Sequence, residues 1–348
     1  MIAANALSPV QDAAGQAQPR LGFLGTGWIG RARLRAIRDS GKAQIVAVAD
    51  PSAEAREAAR KDVPEAGIFD SLSELLAHDL DGIVIATPSA MHAEQSIWAL
   101  EQGAAVFCQK PLARSARETA RVLGAARQAN RLLSVDFSYR YIEGVRTMRD
   151  LIQSGALGHV YAAHLVFHNA YGPDKQWFYD PTLSGGGCVM DLGIHLLDLL
   201  LWTLDGQPVR SVDSRLFAGG RPLSSPDDAV EDYATAQITL EDDTTVQLAC
   251  SWNLPAGREA IIEASFYGTK GGAALRNRHG SFFAFDVMRF KGTETEMIAR
   301  SDDSWSWGGG AIENWTRQLR ISNSYSSESE QLLQVAAAVD RIYGREAS

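Results

Sequence analysis

The segment "RLGFLGTGWIGRARLRAIRDS", residues 20–40, constrains the fold most strongly, because a short apolar strand meets three spaced glycines and then a helix. The glycines follow the spacing G-x-G-x-x-G. The first permits a tight turn, the second lets the backbone approach a pyrophosphate, and the third lets helix and strand pack closely. The N–H groups and the positive dipole end of the helix would then face phosphate. The expected contacts of a dinucleotide in this turn are Gly25, Gly27, Trp28, Ile29 and Gly30.

A glycine pattern alone also fits an ordinary tight turn between a strand and a helix, so a second feature is needed. The segment "AQIVAVADPS" is predicted to be a strand that ends at Asp50, 20 residues after Gly30. A carboxylate there can accept hydrogen bonds from both hydroxyls of an adenosine ribose, and it would repel a 2′-phosphate. The two features together predict dinucleotide binding, with NAD preferred over NADP. Arg56 lies close enough in sequence to keep NADP open.

Apolar strands continue to alternate with helices as far as residue 142. Buried strands are predicted at "DGIVIATP", "AAVFCQKP" and "RLLSVDFSYRY", with helices such as "AMHAEQSIWALEQG" between them. This alternation predicts an α/β domain with a doubly wound parallel sheet, in which ligands bind beyond the carboxyl ends of the strands. Three pairs follow such ends and are therefore compatible with one site: Thr87-Pro88, Lys110-Pro111 and Tyr139-Arg140.

These patterns divide the chain into predicted regions. Residues 1–19 form a loose extension without the features of a signal peptide, and residues 20–142 form the nucleotide-binding domain. After about residue 143 the chain changes to strand-like segments joined by short turns, from "HVYAAHLVFHNAY" to "SFFAFDVMRFKG". This predicts a second, α+β domain over residues 143–348 with a largely antiparallel sheet. An apolar helix at 188–204 should pack on that sheet, a last helix lies at about 329–344, and residues 296–328 give no clear pattern.

Charge and cysteine content exclude several classes of partner. The formal net charge is -9 and the pI is near 5.3, which argues against nucleic acid and against an anionic membrane surface. The three cysteines are widely spaced and odd in number, which favours reduced thiols in a cytoplasm over a disulfide framework or a zinc site. The most apolar segment, "CVMDLGIHLLDLLLWTL", is too short and too polar to span a membrane.

That apolar helix carries three polar residues, Asp191, His195 and Asp198, at i, i+4 and i+7. This spacing places them on one face of a helix, and buried polar groups need partners. One interpretation is a structural Asp–His pair. A metal shared by Asp191 and His195 is another, but no convincing third ligand follows, so no metal is expected. The glycines of "LSGGGC", just before the helix, let the backbone come close to another group, or simply form a flexible turn.

The combination of these segments resembles the glucose–fructose oxidoreductase, inositol dehydrogenase and MocA (Gfo/Idh/MocA) family. The resemblance covers about residues 20–344 and rests on "GFLGTGWIG", "ADPS", "IATPSAMH", "VFCQKPLA", "SGGGCVMDLGIHLLDLLLW" and "VDRIYG". It implies a Rossmann domain followed by an α/β domain with a large, mostly antiparallel open sheet. That sheet often forms the oligomer interface, so a homodimer or homotetramer is expected. The implied activity is NAD(P)-dependent oxidation or reduction of a sugar, inositol or sugar derivative at a secondary or anomeric hydroxyl.

The resemblance also assigns three catalytic residues. Lys110 projects beside the nicotinamide and contacts the reacting hydroxyl, His195 is the general base in oxidation, and Asp191 binds a neighbouring hydroxyl or orients the pair. The family has Glu-Lys-Pro where this chain has Gln109-Lys110-Pro111. The amide removes a negative charge beside Lys110, which should make loss of its proton easier. Gln109 is interpreted as a trait of a subfamily with an intact site, although weaker cofactor geometry or lost activity are alternatives.

Further contacts are implied with less specific signals. Near the cofactor the expected residues are Thr87, Pro88, His92, Gln109 and Lys110. In the substrate site they are Lys110, Tyr139, Arg140, His168, Trp177, Asp191 and His195. Several of these have plain structural alternatives: His92 as a histidine that stabilises a helix start, Tyr139 and Arg140 as an exposed loop pair, and Trp177 as a buried loop tryptophan.

Three functions remain in competition at this stage. The first is an NAD-dependent sugar or polyol dehydrogenase with Lys110 and His195 handling the proton. The second is a redox-assisted hydrolase or lyase that retains its NAD without net turnover. The third is a non-catalytic NAD(H)-binding sensor, for which Gln109 is the sole support in the sequence. The presence of a complete proton-handling set favours an enzyme over a sensor.

Overall fold

The structure is a computed structural model that describes residues 17–302 and 304–345. Most of the predicted N-terminal extension, residues 1–16, lies outside the described residues. The described chain builds one six-stranded sheet and one nine-stranded sheet. The first sheet is wholly parallel and the second is mostly antiparallel, so the predicted fold class is confirmed.

The first sheet is built from the alternating segments of the N-terminal half. Its strands are β1 (Arg20–Leu24), β2 (Gln44–Ala49), β3 (Gly67–Phe69), β4 (Gly82–Ile85), β5 (Ala105–Cys108) and β6 (Leu133–Val135). The helices of this half are α1 (Trp28–Ser40), α2 (Ala53–Asp62), α3 (Leu72–Leu76), α4 (Ser89–Glu101) and α5 (Ala116–Ala129). The strand order is β3-β2-β1-β4-β5-β6, so the chain direction across the sheet reverses between β1 and β4. Ligands of such sheets bind at that reversal, beyond the carboxyl ends of the strands.

The turn after β1 shows why two of its glycines are needed. Gly25 has φ +82°, a left-handed conformation that a side chain rarely adopts, and a Cβ there would lie 2.6 Å from the Ala86 carbonyl oxygen. A Cβ on Gly30 would lie 2.0 Å from the Gly25 carbonyl oxygen. Both glycines therefore allow helix α1 to start directly against β1 and the loop after β4.

The second half of the chain contributes the larger sheet. Its helices are α6 (Val145–Gln153), α7 (Pro181–Ser184), α8 (Ile194–Thr203), α9 (Gly310–Ile321) and α10 (Gln331–Ile342). Its strands are β7 (Val160–Asn169), β8 (Val209–Ala218), β9 (Arg221–Pro222), β10 (Tyr233–Leu240), β11 (Thr245–Ser251), β12 (Ala260–Gly268), β13 (Gly272–Asn277), β14 (Phe285–Lys291) and β15 (Glu294–Arg300). They lie in the order β15-β14-β13-β12-β7-β11-β10-β8-β9, and only β7 and β11 pair in parallel.

Two elements differ from the sequence prediction. The strand expected over "RLLSVDFSYRY" ends at Val135, and the chain continues through a short 3₁₀ helix, Ser138–Tyr141. The segment 296–328, for which no pattern was found, contains the end of β15, a 3₁₀ turn over Trp305–Gly309, and α9. Helix α9 was not predicted. Its Trp315 is fully buried against Phe107 of β5, a partner that lies far away in the sequence and in the other half of the chain.

The apolar helix predicted at 188–204 is divided into two parts. Residues Val189–Gly193 form a π-helical segment, and α8 follows directly. The stretch Pro181–Thr203 is long and apolar enough to cross a membrane by length and composition alone, but 83% of its most apolar window is buried inside the molecule. Its apolar residues pack in the main core between the helices and the second sheet, as core helices do.

Gly30→Ala should destabilise the protein, because the new Cβ would need the Gly25 carbonyl to move within a tight turn. We expect a loss of about 2 kcal/mol or more in the free energy of unfolding, measured by urea titration. Gly124→Ala is the matched control, since this glycine lies inside α5 and a Cβ there meets nothing within 4 Å. It should stay within about 1 kcal/mol of the parent or be more stable. Equal effects of the two substitutions would contradict the packing described for the turn.

Candidate active site

The turn between β1 and α1 has the features of a phosphate site. Gly27 is the N-cap of α1 and no side chain caps this helix end. A Cβ built on Gly27 would meet nothing within 4 Å, in contrast to Gly25 and Gly30. The N–H groups of the first helical turn, which includes Trp28 and Ile29, therefore face open space where a diphosphate could bind. The predicted roles of the three glycines fit this geometry.

The carboxylate of Asp50 lies at the adjacent carboxyl end of β2 and is mostly buried. Its Oδ2 accepts hydrogen bonds from Thr26 N (2.7 Å) and Thr26 Oγ1 (3.2 Å), and its Oδ1 accepts one from Ser52 N (2.9 Å). A carboxylate offers about four acceptor positions, so one is left for a ribose hydroxyl. The guanidinium of Arg56 donates to the carbonyl oxygens of Asp50 and Pro51, which places a positive charge beside the same corner.

A tryptophan from the C-terminal part of the chain lies against the phosphate turn. The rings of Trp28 and Trp305 stack with centroids 4.8 Å apart and planes within 1° of parallel. The guanidinium of Arg33 lies 4.8 Å from the centroid of the Trp305 ring. Trp28 is nevertheless 72% exposed, so one face of its ring is open to solvent. The 3₁₀ turn that carries Trp305 thus contacts the mouth of the predicted cofactor site.

The central contact of the site joins the two halves of the chain. Lys110 follows β5, and its Nζ donates to Asp191 Oδ1 (2.6 Å) and to the Asp191 carbonyl oxygen (2.7 Å). Asp191 Oδ2 accepts a hydrogen bond from Trp252 Nε1 (3.1 Å), next to the end of β11. Both members of the ion pair are mostly buried. Although Gln109 carries no charge, Lys110 therefore has a carboxylate partner, because Asp191 supplies one from the other half of the chain.

A buried glutamate positions the segment that carries Asp191. Glu231 is fully buried, and its carboxylate accepts hydrogen bonds from Gly187 N (2.9 Å), Val189 N (2.8 Å) and the hydroxyl of Tyr343 (2.9 Å). A Cβ on Gly186 would lie 2.1 Å from the Tyr343 hydroxyl, and one on Gly187 would lie 1.9 Å from the Glu231 carbonyl oxygen. The glycines of "LSGGGC" thus serve close packing against Glu231 and Tyr343.

The three polar residues of the apolar helix separate in the structure. Asp191 lies in the π-helical segment and contacts Lys110, whereas Asp198 forms a buried ion pair with Arg140. No hydrogen bond joins Asp191 to His195, so the structural Asp–His pair considered from the spacing is not present. The described residues also contain no group of three or more His, Cys, Asp or Glu placed to hold a metal.

His195 lies beside the lysine with an unusual environment. Its ring packs against Tyr139 (centroids 5.0 Å apart) and Phe137 (6.3 Å), and its Nδ1 is buried without a hydrogen-bond partner. Burial lowers the pKa of His195 well below its usual value, and the positive charges of Lys110 and Arg33 lower it further. The imidazole is therefore neutral near pH 7, the form that carries a lone pair for a proton, although burial and the two cations disfavour its protonated form.

The residue before the lysine is held by an ion pair between α1 and the end of β6. The amide Nε2 of Gln109 donates to Asp136 Oδ2, which also accepts from Arg33 Nε. Ser138 Oγ donates to Asp136 Oδ1 (2.8 Å) and accepts from Arg33 Nη2 (3.0 Å). Gln109 is 7% exposed and faces this network, so a direct contact with cofactor stays a prediction.

Thr87, Pro88 and His92 lie where β4 meets α4. Pro88 is the N-cap of α4, and the hydroxyl of Thr87 donates to Gln95 Oε1 (2.6 Å). His92 is buried, with Nδ1 2.7 Å from the Pro111 carbonyl oxygen and Nε2 2.7 Å from the Thr87 carbonyl oxygen. Its ring connects the loop after β4 to the loop after β5, and burial lowers the pKa of His92.

Tyr139 and Arg140 are placed differently from the prediction. They lie in the 3₁₀ helix after β6 and not at a strand end. Tyr139 is buried against His195, and burial raises the pKa of its phenol. Arg140 donates Nε to Asp198 Oδ2 (2.7 Å) and Nη2 to Gln331 Oε1 (3.2 Å), so its guanidinium is committed to helix packing. Of the two, Tyr139 is the one that borders the candidate site.

The predicted substrate residues His168 and Trp177 lie at the end of β7 and in the loop that follows it. His168 is half-buried at the end of β7, and its Nδ1 lies 2.9 Å from Ser251 Oγ. Trp177 stacks on Phe178 with centroids 3.8 Å apart, and this loop packs on Trp252 through Phe178 and Tyr179. The loop thus borders Asp191 through Trp252, while a stacking contact of Trp177 with a sugar stays a prediction.

Sequence reasoning missed several residues that shape the site. These residues contact the predicted site residues or pack beside them: Trp252, Tyr179, Glu231, Tyr343, Asp136, Arg33 and Trp305. Each acts across a long sequence separation, such as the 61 residues between Asp191 and Trp252. One signal was available: Asp136 is a charged residue directly after the apolar run "LLSV", where a buried strand ends. Nothing local marked Glu231 or Trp252.

The structure also brings two of the three cysteines together. Cys188 and Cys250 are buried, with Sγ atoms 3.7 Å apart, and both are free thiols. Burial raises the pKa of the Cys188 thiol well above its usual value, and contact with Cys250 adds to this effect. They pack as small core residues behind the segment that carries Asp191.

Comparison with known proteins agrees with this geometry. The GFO/IDH/MocA model described as "Oxidoreductase family, NAD-binding Rossmann fold" matches residues 20–137, and the model of the GFO/IDH/MocA C-terminal domain matches residues 145–274. Together the two models span more than two thirds of the chain. D-glucoside 3-dehydrogenase of Escherichia coli K12 is 28% identical over 247 residues, which is 68% of this chain and 70% of that protein.

Solved structures share the fold. Levoglucosan dehydrogenase in complex with NADH and L-sorbose has a TM-score of 0.81 at 19% identity and covers 94% of this chain and 96% of its own. The 3-ketoreductase KijD10 from Actinomadura kijaniata, solved with NADP and TDP-benzene, has a TM-score of 0.79 at 20% identity and covers 94% of this chain and 97% of its own. The two neighbours hold different dinucleotides, so the fold leaves the choice of cofactor open.

Acid should destabilise the protein partly through His195. Its pKa in the folded chain lies well below the usual 6.5, so the unfolded chain takes up a proton below about pH 6.5 that the folded chain refuses. The free energy of unfolding should therefore fall as the pH falls, by at most about 1.4 kcal/mol per pH unit for this one group. His195→Gln should flatten the slope measured by urea titration between about pH 6.5 and 5. His159→Gln, at an exposed position, is the control, and slopes that run parallel in all three proteins would rule out this contribution.

Proposed function

Because the chain belongs to the Gfo/Idh/MocA family of oxidoreductases, we propose that it is an NAD-dependent dehydrogenase of a sugar, inositol or sugar derivative. The reaction proposed is hydride transfer between the cofactor and a secondary or anomeric hydroxyl. The glucoside dehydrogenase activity named for the relative from Escherichia coli supports this substrate class. An oligomeric assembly through the second sheet remains part of the proposal.

The observation that carries the proposal is the contact of Lys110 with Asp191 beside a neutral His195. Lys110, at the carboxyl edge of the first sheet, contacts Asp191 from the second half of the chain, and His195 follows Asp191 by four residues. Such a set offers a cation for a developing oxyanion, a carboxylate for a neighbouring hydroxyl, and a base for the departing proton. A protein that only sensed NAD(H) would not need this combination.

The residues at the carboxyl edge fit a bound dinucleotide. The open face of Gly27 and the first turn of α1 would hold the diphosphate, and the remaining acceptor position of Asp50 would hold a ribose hydroxyl. Thr87, Pro88 and Lys110 border the place expected for the nicotinamide end. When bound, the nicotinamide supplies the hydride acceptor or donor.

The remaining chemistry belongs to the chain. In oxidation, His195 takes the hydroxyl proton, which a neutral imidazole can do at pH 7. The ammonium of Lys110 donates a hydrogen bond to the same oxygen and stabilises its negative charge as the C–H bond breaks. Asp191 holds the lysine in place and accepts a hydrogen bond from a second hydroxyl. In reduction the same groups return the proton.

Turnover should depend on the lysine and the histidine. We expect NADH formation, followed at 340 nm with a panel of inositols, aldoses and sugar glycosides, to show activity with one substrate class. Lys110→Ala and His195→Ala should each lower kcat by about 10²- to 10⁴-fold, the range for a positioned proton-transfer group. Both variants should still bind NADH, measured by its fluorescence, because neither residue holds the diphosphate.

The controls separate the competing functions. Lys61→Ala changes an exposed lysine in the last turn of α2 and should leave kcat unchanged. Tight retention of NAD through purification with no net NADH formation would replace the dehydrogenase by a hydrolase or lyase that reuses its cofactor. NADH binding without any turnover, unchanged in Lys110→Ala, would replace it by a sensor.

The choice between NAD and NADP should rest on Asp50. A buried carboxylate repels a 2′-phosphate, so we expect kcat/KM to favour NAD. Asp50→Asn removes the charge at constant shape and should shift the ratio of kcat/KM values toward NADP by about 10-fold or more. Arg56→Gln should act in the opposite direction, since its guanidinium lies beside the same corner. If neither substitution changes the ratio of kcat/KM for NAD and NADP, other residues must recognise the 2′ position of the adenosine ribose.

A further inference from the structure

A buried network next to the lysine explains the amide at position 109. Asp136 is fully buried on its side chain, Arg33 is 3% exposed and Gln109 is 7% exposed. Asp136 Oδ2 accepts from both Arg33 Nε and Gln109 Nε2, and its Oδ1 accepts from Ser138 Oγ. One carboxylate, one guanidinium and one amide therefore form a set with no net charge.

This set would not tolerate a second carboxylate. A glutamate at position 109 would place its carboxylate against Asp136, out of water, with Arg33 as the shared cation. Two carboxylates in one buried site repel, and one of them would have to take up a proton. The family pattern Glu-Lys-Pro is thus incompatible with Asp136 in this chain. The amide is required by its neighbour, and it does not by itself indicate a lost function.

The network is placed to control the position of Lys110. Gln109 directly precedes the lysine, and its backbone N–H donates to the Ile85 carbonyl oxygen (2.8 Å). The Asp136 N–H donates to the Cys108 carbonyl oxygen (2.9 Å), so both side chains sit on adjacent, hydrogen-bonded strand ends. A shift in the Gln109–Asp136 contact would move the backbone from which Lys110 extends.

The same network contacts two further parts of the site. The Arg33 guanidinium lies over Trp305, which stacks on Trp28 at the mouth of the diphosphate turn. The positive charge of Arg33 also contributes to the low pKa of His195. A change in the net charge around Asp136 would therefore affect His195 as well as Lys110.

We propose that Asp136, Arg33 and Gln109 are positioning residues for the reaction, and that Asp136 with Arg33 supplies the charge pair that fixes the Lys110 turn. A single carboxylate shared between positions 109 and 136 is the functional requirement. The inference rests on the proposed dehydrogenase function for its kinetic readout, but not for its binding and stability readouts.

The test is a double-mutant cycle of Gln109→Glu, Asp136→Asn and their combination. Both substitutions keep side-chain size and exchange only an amide and a carboxylate. Gln109→Glu should lower kcat by about 10-fold or more, because small displacements of a catalytic group are costly. It should also move the pH profile of kcat/KM upward, since an added negative charge favours the protonated form of His195. The double variant restores one carboxylate and should recover at least about 5-fold of the loss, which is a non-additive result.

Stability and cofactor binding give independent readouts. The urea midpoint and the NADH dissociation constant should show the same non-additive pattern. Gln102→Glu and Asp79→Asn make the same chemical exchanges at exposed positions and should change none of these quantities. If the wild-type protein turns over no sugar, the proposed function fails. The double-mutant cycle measured by NADH affinity and urea midpoint still tests whether Gln109 and Asp136 are coupled.

Three results would overturn the proposal. The first is that Gln109→Glu matches the wild type in kcat, urea midpoint and NADH affinity. The second is that the effects of the two single substitutions simply add in the double variant, in every quantity measured. The third is that the single variants lower the urea midpoint while kcat per NADH-binding site and the pH profile stay unchanged, which would make the network structural only.

Discussion

The contact between Lys110 and Asp191 is the constraint on which the rest of the site depends. The lysine extends from the parallel sheet and the carboxylate from the helical segment that packs on the second sheet, so the ion pair fixes the two halves at one point. Partly buried ion pairs add little net stability, because desolvation offsets most of the attraction. Their value lies in position, and here the pair fixes the ammonium of Lys110 beside Asp191 at the carboxyl edge of the first sheet.

Two buried carboxylates support that contact from either side. Glu231 accepts the N–H groups of Gly187 and Val189 and so fixes the start of the segment that carries Asp191. Asp136 accepts Arg33 and Gln109 and so fixes the strand end that carries Lys110. Removing one partner of such a buried set costs about 3–5 kcal/mol, since the other charge is left unpaired. Each half of the chain therefore fixes its own member of the Lys110–Asp191 pair through a buried carboxylate.

Features of the site that depend on residues close in sequence were predictable, and features that depend on distant residues were not. Gly25 and Gly30 could be recognised in the sequence because a side chain at either position would clash at the turn after β1, whereas Gly27 leaves open space beside the start of α1. Asp191 was found by its contrast with an apolar helix, but the spacing suggested a pair with His195 that the structure does not contain. The π-helical segment alters the register of that helix, and Glu231, which accepts the N–H groups of Gly187 and Val189 at its start, lies 40 residues away from Asp191. Trp252 and Trp305 could not be found at all, since no local pattern marks them.

The sequence by itself determined the parallel nucleotide-binding sheet, the mostly antiparallel second sheet and the place of Lys110 after a strand end, because these depend on periodicity, glycine spacing and residues next to strand ends. Only the tertiary structure decided which polar residues meet. It paired Lys110 with Asp191, assigned Asp198 and Arg140 to helix packing, and gave Gln109 its partner in Asp136. The physical reason is that a buried charge must find its partner wherever the fold provides one, and the fold provides these partners from distant parts of the chain.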